Sequence, residues 1–465
     1  MPEIKCGLEI HGYLKIDNKR KLFCDCMLEH EASPNTNTCP ICTAQPGLKP
    51  MNPNEEALKK IMMISGMLDC KLNKRLLFQR KHYSWPDLPS GYQRTISGSY
   101  SVPVGVDGNF LGIGISDVHL EEDPARYDPA SGLVDYNRSG FPLVEIVTEP
   151  DFRSSDEVKE WLRKLITTLS YIKALDRNAG IKADVNVSIA PKYERVEIKN
   201  VNSFKSIVKA IEYEIQRQEE EVKKGKSIPQ QTRMFDYNSE TTKFMRSKET
   251  QQDYMFIPDP DLAVISIIDK DIREISSLLP EKPAEKERKF KKLGIQEIDA
   301  QVMSSEILLA ELFEKVAKEI DPILAAKWLR RELVRVLNYN KKTIEDMQID
   351  EKHLIDLLKL VETKKITETV AQKILEKLIL KSFDVNEYVK KEKLIAVSDT
   401  NVLEKYCKEA IAENKKAVDD YKSGREEALN FLMGQVMKKT RGAATPREVN
   451  EILKKLIKYH KCQEK

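Results

Sequence analysis

The chain has 465 residues, 41% of them hydrophobic, so it is long enough for roughly three domains whose cores need neither disulfides nor metals. Lysine and arginine (77) nearly balance aspartate and glutamate (74), and a net charge of +3 by itself says nothing about nucleic-acid binding. No apolar run reaches the roughly 18 residues of a membrane span, and the N-terminus lacks the pattern of a signal peptide. We therefore expect a cytoplasmic protein without membrane contact.

The first part of the chain, residues 1–292, is predicted to form one domain of mixed strands and helices. Short runs such as "GLEIHGYL" and "FPLVEIVTE" alternate apolar and polar residues as strands do, and turn sequences separate these runs. Two stretches, at about 154–175 and 203–225, carry apolar residues at helical spacing. The pattern predicts a strand-rich domain with at least two long helices.

The rest of the chain is predicted to be helical. Strand-like runs stop after the charged, proline-bearing stretch 278–292. We expect an all-α domain at 293–400 and a small all-α C-terminal domain at 401–465. From Lys438 to the C-terminus, nine lysines and arginines face three acidic residues, a local excess of +6. Such a patch can contact phosphates, and the alternative is a solvated helix face.

Four of the eight cysteines form two close pairs near the N-terminus, Cys24-x-Cys26 and Cys39-x-x-Cys42. Four thiolates at these spacings suit a tetrahedral Zn²⁺ ion and leave no open position for water, which is typical of structural rather than catalytic zinc. His30, in the loop between the pairs, could replace one ligand. The alternative is four unrelated reduced thiols.

Several predicted strands carry acidic groups among apolar residues. Glu9 and His11 share one face of the first strand, and Glu145 is a lone carboxylate in "PLVEIVT". "HLEED" places Glu121 and two further acids directly after an apolar run, and Asp184 alternates with valines. Buried carboxylates are normally paired with a cation or metal, and hard oxygen ligands suit Mg²⁺. The alternative is a solvated sheet face with salt bridges.

The proline-rich stretch "RKHYSWPDLPSGY" (80–92) combines basic and aromatic residues. Such a loop can stack a base or ribose and grip phosphate, although a packed aromatic turn is an equal alternative. No phosphate-binding G-x-x-x-x-G-K-[ST] motif occurs, so a P-loop enzyme is excluded.

Long ordered motifs make the chain closely resemble the GatB/GatE family of tRNA-dependent amidotransferase subunits. They include "GLEIH", "PNTNTCPIC", "RKHYSWPDLPSGYQ", "HLEED", "FPLVEIVTEPDFRS", "VEIKNVNSF", "MRSKE" and, near the C-terminus, "NFLMGQVMKKTRGAATPREVN". The E subunits carry an inserted domain for which this chain has no room, so the resemblance favours the B subunits. It implies an α+β, cradle-like catalytic domain built on a largely antiparallel sheet, followed by the two all-α domains.

The resemblance implies a kinase and transamidase site in the first domain. There ATP phosphorylates the side-chain carboxylate of a mischarged tRNA, and ammonia then displaces the phosphate. The implied Mg²⁺ ligands, which are also the implied catalytic residues, are Glu9, His11, Glu121 and Glu145. Residues implied along the ammonia path are Lys81, Glu122 and Asp184. Many family members lack the four cysteines, which favours a structural zinc.

The resemblance also implies partners, because the chain shows no amidase signature and no nucleophilic cysteine in a suitable setting. Ammonia is expected from a glutaminase A subunit, with a small C subunit completing a heterotrimer. The C-terminal domain resembles the family's tRNA-binding tail. Candidate tRNA contacts are Lys438, Lys439, Arg441, Lys454, Lys455 and Lys458. The substrates implied are Asp-tRNA(Asn), Glu-tRNA(Gln) or both, and the sequence does not decide between them.

Two other functions compete with this interpretation. One is a non-catalytic, tRNA-binding zinc scaffold that only presents the substrate. The other is a zinc hydrolase that uses the cysteine site for its chemistry.

Overall fold

The computed structural model describes residues 3–176, 180–192, 194–247, 255–396 and 400–463. The end of the "MRSKE" motif and the predicted domain boundary near residue 400 lie partly outside these ranges. The chain forms two compact units, Met1–Lys282 and Pro283–Lys465. The division into three domains remains a prediction.

The first unit contains all the strands of the described residues and four helices. Its strands are β1 (Ile4–Tyr13), β2 (Lys71–Leu72), β3 (Arg75–Leu76), β4 (Gln79–His82), β5 (Tyr92–Thr95), β6 (Gly105–Phe110), β7 (Ile113–Glu122), β8 (Arg126–Tyr127), β9 (Val134–Asp135), β10 (Pro142–Thr148), β11 (Ile181–Ile189), β12 (Val196–Val201), β13 (Gln231–Asp236), β14 (Thr241–Ser247), β15 (Met255–Pro258) and β16 (Ile265–Ser266). Its helices are α1 (Glu55–Met67), α2 (Ser155–Tyr171), α3 (Phe204–Lys223) and α4 (Asp269–Leu278).

One twelve-stranded sheet dominates this unit. Its main path runs β14-β13-β12-β11-β1-β10-β7-β5-β4-β15, and β6 and β2 branch from β7. Every pairing in it is antiparallel except that of β12 with β13. The predicted largely antiparallel sheet is therefore confirmed. The first strand lies at its centre, between β10 and β11, and so borders two segments that are distant in sequence.

Alternation along β1 separates a core face from a polar face. Leu8 and Ile10 are buried, whereas Glu9 and His11 project from the opposite face. Helix α3 packs against β11, and its buried residues Ile207 and Ile211 recur at helical spacing. The helices predicted at about 154–175 and 203–225 are confirmed as α2 and α3, and each begins after a serine whose side chain accepts a backbone N–H.

The second unit is helical throughout its described residues, as predicted. Its helices are α5 (Pro283–Lys292), α6 (Glu297–Met303), α7 (Ile307–Val316), α8 (Pro322–Trp328), α9 (Val334–Tyr339), α10 (Glu351–Glu362), α11 (Glu368–Leu380), α12 (Val385–Lys391), α13 (Thr400–Glu413), α14 (Lys415–Lys422), α15 (Glu427–Lys439) and α16 (Pro446–Gln463), with a π-helical turn at Leu329–Leu333. Apolar side chains form two buried clusters, one within residues 290–389 and one within 403–457. Among the described residues, no helix is both long and apolar enough to cross a membrane.

Candidate active site and metal centre

Three predicted site residues converge on the polar face of the sheet. The register places His11 of β1 opposite Glu145 of β10. Glu121 of β7 lies opposite Leu143, which is two residues before Glu145 on the same strand. The His11 Nδ1 atom lies 3.6 Å from Glu145 Oε2 and 3.9 Å from Glu121 Oε1. One donor atom from each residue lies within 4.8 Å of the other two. We call this group the His11 cluster, and its donor set of one imidazole and two carboxylates fits a divalent cation.

The two carboxylates of the His11 cluster are not equivalent. Burial raises the pKa of Glu121, and the nearby Glu145 charge raises it further. Burial also raises the pKa of Glu145, but His119 and His11 lower it more, so this pKa lies well below its usual range. Glu145 is thus held as a carboxylate. The electrostatic repulsion between the two groups instead raises the pKa of Glu121. A bound divalent cation would relieve that repulsion.

A second histidine, which the sequence analysis did not select, supports this cluster. His119 is only 1% exposed, its Nδ1 lies 2.6 Å from Asp117 Oδ1, and its Nε2 lies 3.1 Å from Glu145 Oε2. Burial lowers the pKa of His119, but Glu145 and Asp117 together raise it well above its usual value. The signal in the sequence was the spacing in "DVHLE", which places Asp117, His119 and Glu121 on one face of a strand.

Glu9 belongs to a neighbouring group rather than to the His11 cluster. Its carboxylate lies with those of Asp184 and Glu197, again within 4.8 Å of one another. Burial raises the pKa of Glu9, and the charges of Glu145 and Asp184 add to this effect. Asn186 donates to Glu9 Oε1 at 3.1 Å. The four residues predicted as one Mg²⁺ site are therefore divided between two adjacent groups.

A lysine already occupies the second acidic group. The Lys199 ammonium lies 2.7 Å from Asp184 Oδ2 and 3.0 Å from Glu197 Oε1. Although burial lowers the pKa of Lys199, the two carboxylates raise it well above its usual value. We call the set of Glu9, Asp184, Glu197 and Lys199 the Lys199 cluster. Lys199 thus supplies one positive charge to the three carboxylates and contacts two of them directly.

The structure separates the three residues predicted along the ammonia path. Lys81, on β4, is near enough for its charge to lower the pKa of Glu121 and Glu145. Glu122 projects from the opposite face of β7, where its Oε1 accepts the backbone N–H of Arg94 at 2.9 Å. Asp184 belongs to the Lys199 cluster. Their roles remain predictions.

The four cysteines come together as predicted. Their sulfur atoms lie within 4.8 Å of one another, with Cys24 and Cys42 buried. The pKa of Cys42 is lowered to about 4 because Cys24 donates to its sulfur, as do the Cys39 backbone N–H and the Lys21 ammonium. A sulfur already stabilised as a thiolate, within a set of four, could bind a metal and fits Zn²⁺.

His30 is not part of this cysteine cluster. Its Nε2 lies 3.3 Å from Asp176 Oδ2, and its ring packs edge-on against Tyr13 and Phe141. The suggestion that His30 replaces one cysteine ligand therefore has no support in this geometry.

The basic and aromatic loop is partly occupied by internal contacts. Arg80 lies 3.1 Å from Asp259 and 2.6 Å from Asp261, and it stacks over Tyr92 with its guanidinium carbon 4.4 Å from the ring centre. Trp85 remains 57% exposed and touches Tyr127 edge-on. Only part of the predicted nucleotide-binding surface is thus available, and Trp85 is its most exposed aromatic residue.

Five of the six candidate tRNA contacts are exposed on the second unit. The exception is Lys439, whose ammonium lies 2.6 Å from Glu413 and 3.3 Å from Glu409. The exposed residues are Lys438, Arg441, Lys454, Lys455 and Lys458. A basic surface is therefore present on and near α15 and α16, but Lys439 is largely neutralised.

Comparisons with known proteins cover both units. A family model described as "GatB/GatE catalytic domain" matches residues 4–273, and a second, described as "GatB domain", matches residues 311–457. The chain is 45% identical over 469 residues to the B subunit of the aspartyl/glutamyl-tRNA(Asn/Gln) amidotransferase of Methanocaldococcus jannaschii, covering 98% of each chain. The protein of the same name from Methanothermobacter thermautotrophicus is 45% identical over 457 residues, covering 98% of this chain and 100% of that relative.

Proposed function

The chain belongs to the GatB/GatE family, and from that premise we propose that it is the B subunit of a glutamine-dependent aspartyl/glutamyl-tRNA(Asn/Gln) amidotransferase. The observation that carries this proposal furthest is the convergence of His11, Glu121 and Glu145 within the segment that matches the family's catalytic domain. A merely presenting scaffold has no need to bury two repelling carboxylates beside a histidine.

The reaction joins nitrogen to a carboxyl carbon that is unreactive as a carboxylate. An oxygen of the tRNA-linked Asp or Glu side chain attacks the terminal phosphorus of ATP, and ADP leaves. Ammonia then adds to the carbonyl carbon of the acyl phosphate, and inorganic phosphate leaves with the C–O bond electrons. One proton passes from the added nitrogen to the departing phosphate, and an amide remains. Phosphorylation is required because it converts an oxide leaving group into phosphate. The products are Asn-tRNA(Asn) or Gln-tRNA(Gln).

The His11 cluster is the proposed position of a Mg²⁺ ion. His11, Glu121 and Glu145 would hold the ion, with Glu9 nearby, and when bound it would supply positive charge for the phosphate oxygens. Glu145 is ready to bind a cation without prior deprotonation, because His119 and His11 already favour its charged form. Lys81 adds a fixed positive charge near the same carboxylates.

The remaining assignments follow from the same premise. A glutaminase A subunit would supply ammonia, and a small C subunit would complete the heterotrimer. Lys81, Glu122 and Asp184 would line the ammonia path. The exposed lysines of α16 and its neighbours would contact tRNA phosphates, which position the substrate without specifying its sequence. The four cysteines would hold a structural Zn²⁺.

Replacing Glu145 by Gln tests the proposal. In the complex reconstituted with its A and C subunits, we expect E145Q to lower ATP-dependent phosphorylation of mischarged tRNA by about 10³-fold, because one charged ligand for phosphate-bound Mg²⁺ is lost. Glu160→Gln, an exposed substitution on α2, is the matched control and should retain activity. Unchanged phosphorylation in E145Q would favour the scaffold function instead.

A further inference from the structure

Lys21 is a buried cation beside the cysteine cluster. Its side chain is among the largest fully buried ones, and the residue is only 1% exposed. Its ammonium donates to Cys42 Sγ at 3.4 Å and to the Tyr136 carbonyl oxygen at 3.2 Å, and it lies 5.9 Å from the centre of the Phe141 ring. No carboxylate in the described part of the chain lies within ion-pair distance of it.

A buried ammonium without a counter-charge is unfavourable, because it loses its hydration and gains no attraction in return. Lys286, another buried lysine, does have a carboxylate partner, because its ammonium lies 2.6 Å from Glu314 Oε1. For Lys21 the available counter-charge is the sulfur of Cys42. Four thiolates around one divalent ion carry a net charge of −2, which an adjacent ammonium reduces to −1.

We propose that Lys21 is a positioning residue of the cysteine metal site, which compensates the charge of the metal-loaded cluster and hydrogen-bonds one of its sulfurs. The inference rests on the structural metal proposed above. Lys21 acts through Cys42 and does not itself bind the metal. Its second role is to connect the cluster to residues 136–141 through the Tyr136 carbonyl group.

Hydrogen bonds from this part of the chain also connect the cysteine cluster to the segment that precedes Glu145 of the His11 cluster. Leu22, next to Lys21, donates its backbone N–H to the Gly140 carbonyl oxygen at 2.8 Å, and Ser139 Oγ donates to the Cys42 carbonyl oxygen at 3.0 Å. Strand β10 begins two residues after Gly140 and carries Glu145. The metal loop thus supports the segment from which the catalytic strand starts.

Zinc affinity of the full-length chain tests the role of Lys21. We expect K21M to bind Zn²⁺ about 10- to 100-fold more weakly than the unmodified chain in competition with a chromophoric chelator, as for other groups that support metal ligands. K21Q, which keeps an N–H donor but no charge, should fall between the two. The matched control is K286M, which removes a different buried lysine and should leave zinc affinity unchanged.

Thermal unfolding with and without zinc separates this role from simple packing. With zinc bound, K21M should unfold at a lower temperature than the unmodified chain, whereas after chelation the difference should become much smaller, because the ammonium then faces the single Cys42 thiolate rather than a metal-loaded cluster of net charge −2. Equal destabilisation in both forms, or zinc affinity in K21M within twofold of the unmodified chain, would overturn the inference. An unmodified chain that binds no zinc would instead overturn the structural metal itself.

Discussion

The His11 cluster and the Lys199 cluster lie side by side on one sheet face, and both gather acidic groups within 4.8 Å. They differ in how the chain compensates that charge. Lys199 reaches two carboxylates of its cluster at 2.7 and 3.0 Å, whereas the ion-pair contacts of Glu121 and Glu145 are with the imidazoles of His11 and His119. The Lys199 cluster thus contains a lysine in direct contact with two of its carboxylates, whereas the carboxylates of the His11 cluster contact histidines, and this contrast is consistent with the proposed Mg²⁺ position in the His11 cluster.

Replacing Lys199 should remove this difference between the two clusters. It is also the substitution for which we expect the largest change in stability. K199M leaves Glu9, Asp184 and Glu197 without their cation, so we expect a loss of about 3 kcal/mol in the free energy of unfolding, measured by urea denaturation. Mg²⁺ at millimolar concentration should restore part of this loss, because the three carboxylates then resemble an open metal site.

The control for K199M is K209M, which removes an exposed ion pair between Lys209 and Glu240 and should cost at most about 1 kcal/mol. If K199M is as stable as K209M, or if Mg²⁺ has no effect on it, the two clusters do not differ in the way described.

Replacing His119 should weaken Mg²⁺ binding at the His11 cluster without abolishing it. H119L removes the group that lies 3.1 Å from Glu145 Oε2, so we expect the Mg²⁺ concentration needed for half-maximal phosphorylation to rise about 10- to 100-fold. H119Q places an amide N–H near the same oxygen and should recover much of the affinity. Direct calorimetric titration with Mg²⁺ provides the binding constant apart from activity, and equal constants in H119L and the unmodified chain would contradict a supporting role.

Glu9 belongs to the Lys199 cluster but also experiences the charge of Glu145 in the His11 cluster, and its raised pKa predicts the smallest effect. Because this pKa is raised in the folded state, the folded chain holds the Glu9 proton more tightly than the unfolded chain, so Glu9 lowers stability as pH rises above about 4.3. E9Q should therefore gain about 1 kcal/mol of stability at pH 7, measured without Mg²⁺. The gain should fade as pH drops below about 4, where Glu9 is protonated in both states. A gain that does not change with pH would show that charge is not its cause.

The sequence predicted the local features of this site well. The cysteine pairs are short-range motifs, so their spacing alone was enough to predict that the four sulfurs come together. Alternation along β1 and β10 placed His11 and Glu145 on polar positions of apolar strands. Short alternating runs and longer helical patterns distinguished the strand-rich unit from the helical one, and the resemblance to the GatB/GatE family implied the largely antiparallel sheet.

The division into two acidic clusters could not be read from the sequence. It depends on which strands flank β1, and that order joins segments more than a hundred residues apart. Lys199 and His119 were visible as alternating polar residues, but their partners are set by register across strands. Lys21 precedes the first cysteine pair and gave no periodic signal, since its role depends on burial rather than on sequence pattern.

The most direct test of the account is amidation by the purified full-length chain in the absence of a glutaminase partner. Mischarged Asp-tRNA(Asn) and Glu-tRNA(Gln) would be supplied with ATP, Mg²⁺ and either ammonium chloride or glutamine. The account predicts amidated tRNA with ammonium but not with glutamine, and its loss in E145Q. Tight binding of the mischarged tRNA without any amidation in ammonium would contradict the account.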